Sequence, residues 1–100
     1  MILHINTKDQ KQIKVNLRKD GKVVESLSQQ NEYGSQVLLP LISILLDRKK
    51  MTFKDLEGVE VETGPGSFTG LRVGVSVANA LGFGLGIPVN GKKIETELVY

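Results

Sequence analysis

The stretch Glu62-Thr-Gly-Pro-Gly-Ser-Phe-Thr-Gly-Leu-Arg-Val-Gly-Val75 follows a short alternating run, Val59-Glu-Val61, and opens a segment of small apolar residues that continues to about Leu85. An alternating run, a Gly64-Pro-Gly-Ser67 punctuation and apolar residues at helical spacing read as strand, loop and helix. Ile87-Pro-Val89, ended by Asn90-Gly91, reads as a further short strand, so the crossover is expected to be right-handed and the later part of the sheet parallel. Working back from this unit, Ile2, Leu3 and Ile5 form a first strand, and Ile13-Lys-Val-Asn-Leu17 alternates as a half-buried strand does. Asp20-Gly21 supplies the turn of a hairpin over residues 12–28. Ser35 is placed to cap a helix running to about Lys49, whose Arg48-Lys49-Lys50 end suits the helix dipole and whose Pro40 suits only a first turn. Thr52-Phe-Lys-Asp55 starts another helix, cut short by Gly58. The expectation is an α/β domain in the order β-β-β-α-β-α-β around a mixed, five-stranded sheet.

Composition narrows the functions. One compact domain fits 100 residues with 40% hydrophobic and 24% charged residues. A core of this size is modest, so a deep cleft needs a partner subunit. The net charge of +2 implies no nucleic-acid partner without a local patch, and Arg48-Lys49-Lys50 and Lys92-Lys93 read as solvated surface. No cysteine and a single histidine exclude thiol catalysis, Cys-ligated zinc and a His-based metal site. His4, inside the first apolar strand, reads as a packed or edge residue, since nothing nearby in sequence orients it as a base. The first residues lack the pattern of a signal peptide, and a cytoplasmic location is expected.

The glycine loop invites a phosphate-binding reading, because the amides that open a helix can hold an anion. Both specific phosphate motifs fail here. The glycines are not followed by the Lys-Ser/Thr of a P-loop, and the third glycine of a dinucleotide loop falls on Thr69. A turn at Pro65-Gly66, a cap from Ser67 or Thr69 and close packing at Gly70 account for the same residues. Gly66, Ser67, Thr69 and Arg72 remain the candidate anion-binding set.

Both long helices carry more apolar surface than one sheet face covers. At ~100° per residue, Val37, Leu38, Leu39, Leu41, Ile42, Ile44, Leu45 and Leu46 nearly encircle the first. In the second, only Thr69, Arg72, Ser76 and Asn79 share a polar strip, and Gly70, Gly74, Ala78, Gly82 and Gly86 recur every fourth residue. Each mid-helix glycine costs about 0.8–1.0 kcal/mol relative to alanine, so the stripe makes sense where another backbone approaches closely. A membrane span is disfavoured: Val73 to Val89 is uncharged but short, and it contains several glycines, Ser76, Asn79 and Pro88. The expected partner interface is Leu38, Leu41, Ile42 and Leu45 on the first helix with Gly70, Val73, Gly74, Val77, Ala78 and Leu81 on the second.

The Glu62–Val75 stretch, with Ala80-Leu81 and Gly86-Ile-Pro-Val89, resembles the TsaB (YeaZ-like) family of tRNA threonylcarbamoyladenosine biosynthesis proteins. Ile5-Asn-Thr7 and the Ser35–Ile42 segment match further family patterns. The resemblance covers about residues 1–91 and implies a single ribonuclease H-like, actin-type ATPase lobe; residues 92–100 are expected to be a short tail, with the family's second lobe missing. It also implies a non-catalytic scaffold subunit that needs no cofactor of its own. Family members pair through these two helices, with themselves or with the ATP-using transferase TsaD, while the TsaE ATPase and tRNA are met only through that complex. Two positions depart from the pattern: the strand-end Asp is Asn6, and the His before Ser35 is Gly34. A stand-alone homodimeric module and a weak nucleotide- or phosphate-binding remnant of the actin-type fold are the competing readings.

Overall fold

In the computed structural model the alternation of Ile13, Val15 and Leu17 with polar neighbours buries those three side chains completely on one face of β2 (Gln12–Lys19). The structure describes residues 1–9, 11–30, 34–63 and 68–92. β2 forms a hairpin with β3 (Lys22–Gln30) through Asp20 and Gly21. Their φ values of 53° and 79° are both left-handed, as a two-residue primed turn requires. β1 (Ile2–Asn6) lies antiparallel to β2 on one side and parallel to β4 (Gly58–Val61) on the other, giving the order β3-β2-β1-β4.

Two helices, α1 (Gly34–Arg48) and α2 (Phe68–Leu85), cover the face that carries Leu3, Ile5, Ile13, Val15 and Leu17. α1 lies across β2 and β3 and buries Leu38, Ile42 and Leu45 completely; α2 lies across β4 and β1. The helices end alike. At α1, Lys50 takes a left-handed φ of 54°, and the Met51 amide donates to Leu46 O. At α2, Gly86 takes φ 68°, and the Ile87 amide donates to Gly82 O. Both satisfy terminal carbonyls that would otherwise lack partners. A 3-10 turn, Phe53–Asp55, begins at Thr52, whose amide donates to the Asp55 carboxylate at 2.8 Å.

Among the described residues the sheet has four strands, not the five expected. The segment read as the fifth makes one parallel bridge, Val89 to Val59. Pro88 has no N–H to extend a ladder, and Asn90 and Gly91 turn left-handed (φ 50° and 79°), bringing Val89 and Lys92 into a tight reversal. The β4 edge is nonetheless satisfied. The Val59 amide donates to Pro88 O and Val59 O accepts from the Asn90 amide, at 2.9 and 2.8 Å. Beyond that the Asn90 side chain takes over, its Oδ1 accepting from the Val61 amide at 2.8 Å and its Nδ2 donating to Val61 O at 3.1 Å. Two smaller expectations also shift: Ser35 falls inside α1 rather than before it, and Pro40 lies in the second turn, on the solvent side.

Candidate functional site

The small-residue stripe of α2 faces the chain's own sheet. Gly74 and Gly82 are buried and Ala78 is fully buried. A Cβ placed on Gly74 would lie 2.5 Å from Thr7 Oγ1, so glycine here lets the helix backbone close onto the end of β1. Of the ten residues expected at a partner interface, Leu38, Leu41, Ile42, Leu45 and Ala78 lie in the intrachain core and Gly74 is on the buried side of α2, against Thr7. Val73, Val77 and Leu81 are half-buried, packed against the edge of that core. Gly70 is in the first turn of α2.

What the helices leave to solvent is a different apolar set. On α2 the strip expected to be polar is turned partly inward: Asn79 is buried and Ser76 half-buried, and each has a bonding partner. The outward strip is instead Ala80, Phe83 and Gly84, bordered by Val73 and Val77, with Phe83 48% exposed. On α1, Leu39 and Ile44 flank the buried stripe and are 45% and 49% exposed.

The C-terminal ends of parallel β1 and β4 meet beside the start of α2, where open α/β sheets place their ligands. Asn6 caps its own strand there, its Oδ1 accepting from the Lys8 amide at 3.1 Å, a role an amide fills as well as a carboxylate. Of the candidate anion set, Arg72 is exposed on α2, and Thr69 is in its first turn; Gly66 and Ser67 lie outside the described residues. Among the described residues no cluster of three or more His, Asp or Glu is arranged to hold a metal ion, and no helix is long and apolar enough to cross a membrane.

The other face of the sheet carries a polar row that sequence reading did not assemble. Pairing puts Asn16, His4 and Glu60 side by side on β2, β1 and β4. His4 is 8% exposed although neither described helix lies on this side. Its Nε2 lies 3.4 Å from Glu62 Oε1, and its Nδ1 lies 3.4 Å from Asn16 Nδ2. Asn16 Oδ1 accepts from Arg18 Nε at 3.2 Å, and Arg18 Nη1 reaches Glu60 Oε1 at 3.7 Å. Burial, and secondarily the Arg18 charge, hold the His4 pKa below the ordinary imidazole value against the opposing pull of Glu62 and Glu60. The signal was present in the phase of β2: Lys14, Asn16 and Arg18 alternate with the buried Ile13, Val15 and Leu17.

Comparison with known proteins adds a family to this geometry. The profile of the family described as TsaD, tRNA N6-adenosine threonylcarbamoyltransferase, matches residues 7–91. The chain is 39% identical over 71 residues to the tRNA threonylcarbamoyladenosine biosynthesis protein TsaB of Buchnera aphidicola, covering 70% of this chain and 34% of that protein. It is 35% identical over 74 residues to TsaB of Bacillus subtilis, covering 74% of this chain and 32% of that protein. The fold superposes on YeaZ from Pseudomonas aeruginosa with a TM-score of 0.79 at 30% identity, over 88% of this chain and 42% of that one. The chain thus spans about a third of the length of these curated relatives.

Proposed function

Because the chain belongs to the tRNA N6-adenosine threonylcarbamoyltransferase (TsaD) family, and within it is TsaB/YeaZ-like with the actin-like, ribonuclease H-like α/β fold, we propose that it serves threonylcarbamoyladenosine modification of tRNA. In this reading residues 1–91 are an N-terminal lobe acting as a cytoplasmic, non-catalytic scaffold that docks a TsaD-type transferase through its helices. tRNA and a TsaE-type ATPase are reached through that transferase.

The observation that carries the reading is the apolar strip α2 turns to solvent. No charged residue occurs between Arg72 and Lys92, and Val73, Val77, Ala80, Phe83 and Gly84 line its outer side. Covering such a strip removes apolar area from water at about 25 cal/mol per Å², which favours a protein partner over solvent. Val73 and Val77 of the expected set border the proposed surface, which is otherwise formed by Phe83 on α2 and by Leu39 and Ile44 on α1. The same strip suits a second copy of the chain, so the test must separate the two.

The purified chain is mixed with a TsaD-type transferase from the same source and run on a sizing column with light scattering. A mixed species is expected, and Phe83→Asp or Val77→Lys should remove it while leaving the circular dichroism unchanged. A homodimer with no mixed peak, or a mixed peak indifferent to both substitutions, overturns the reading.

A further inference from the structure

The open face of the sheet contains a chain of donors and acceptors whose direction is forced from one end. The Arg18 guanidinium can only donate, so its Nε–H fixes Asn16 with Oδ1 toward β2's own arginine. Asn16 Nδ2, a donor, then points at His4 Nδ1, which must accept. The ring hydrogen therefore sits on Nε2, where the Glu62 carboxylate accepts it. The backbone reinforces the arrangement, because Asn16 and His4 are direct cross-strand partners and Glu60 lies opposite His4 on the other side.

We propose that His4 is a proton-operated latch on this face: neutral, with its hydrogen on Nε2, it holds the Asn16 amide and through it Arg18, and a proton taken up at Nδ1 turns the amide over and leaves Arg18 held by Glu60 alone. The reason is donor count. Protonated Nδ1 would face Asn16 Nδ2 as donor against donor; if the amide turned its oxygen to His4, its Nδ2 would confront the Arg18 guanidinium, again donor against donor. One proton thus breaks both bonds and leaves the existing 3.7 Å pair with Glu60 as the contact that remains to the guanidinium. The charged groups facing the ring are Arg18 on β2 and Glu60 and Glu62 on or just after β4, while Lys14 lies one row further along β2 beside Asn6. The depressed His4 pKa agrees with a site built for the neutral ring.

The test is nitrogen-15 NMR of the full chain, following the His4 ring nitrogens and the Asn16 side-chain amide through a pH titration. Near pH 7.5 Nδ1 should resonate in the unprotonated, pyridine-like region and Nε2 in the protonated, pyrrole-like region. On acidification the Asn16 amide signals should move with the same midpoint as His4. Asn16→Asp replaces the donor with an acceptor and should raise that midpoint and shift the ring hydrogen to Nδ1. Glu62→Gln, at a half-buried position, should lower the midpoint without changing the tautomer. A ring hydrogen on Nδ1 at high pH in the unaltered chain, or Asn16 signals indifferent to the His4 titration, overturns the latch; if Asn16→Asp fails to fold, the unaltered chain and Glu62→Gln still decide.

Discussion

The two faces of the sheet are built by different rules. The covered face is apolar and set by shape: bulky Leu38, Ile42 and Leu45 from α1 fill one half, and Gly74, Ala78 and Gly82 let α2 lie close on the other. The open face is polar and set by donor direction, from Arg18 through Asn16 and His4 to Glu62. The contrast teaches that a face held by shape should fail through volume changes, while a face held by donors should fail through protons.

The largest break should come from volume on the covered face. Leu45→Ala removes a fully buried side chain and should cost about 3 kcal/mol, read as a lower urea midpoint with unchanged slope.

A sharper division runs through α2 itself. Gly74→Ala pushes a methyl against the buried Thr7 and should cost about 1–2 kcal/mol, even after the helix-propensity gain. Gly84→Ala, where nothing lies within 4 Å of the new methyl, should instead stabilise by about 1 kcal/mol. Chemical denaturation of the pair gives opposite signs if packing against β1, rather than helix propensity, fixes the glycine at 74; equal signs would erase the distinction.

The smallest effect belongs to the open face. Because the folded pKa of His4 is depressed, the contribution of its neutral ring is present above the unfolded value near 6.5 and is lost as pH falls through the folded value. Denaturation midpoints should therefore drop between pH 7.5 and pH 5.5, and His4→Gln should flatten that part of the profile. A profile unchanged by the substitution would remove His4 as the source of the slope.

Much of the covered face was legible in the sequence, because periodicity reports it directly: the β2 alternation, the Asp20-Gly21 turn and α2 from Phe68 to Leu85 lie where the pattern put them. Direction was harder to read. A four-residue glycine stripe states that something packs closely without stating what, and at Gly74 it is the side chain of the chain's own Thr7, just after β1. A wheel likewise cannot tell which polar residues find partners inside, as Asn79 does, and which apolar ones remain outside, as Phe83 does. The missing fifth strand has the same origin: Pro88 and the left-handed Asn90 prevent a ladder, and only tertiary placement reveals that an amide side chain replaces it. The open-face row needed strand register, since His4, Asn16 and Glu60 are far apart in sequence and adjacent only after pairing.

The amide of Asn90 has one more consequence. Val59 and Val61 offer their outward backbone groups to the 88–90 segment, so this border of the sheet has no hydrogen-bonding template left along those residues, while among the described residues no strand pairs with the outer border of β3. Head-to-tail growth needs two complementary open borders on each copy. With one sealed, strand-to-strand association through the described strands falls to β3 against β3, a contact that ends with two copies and gives a fibre nowhere to elongate.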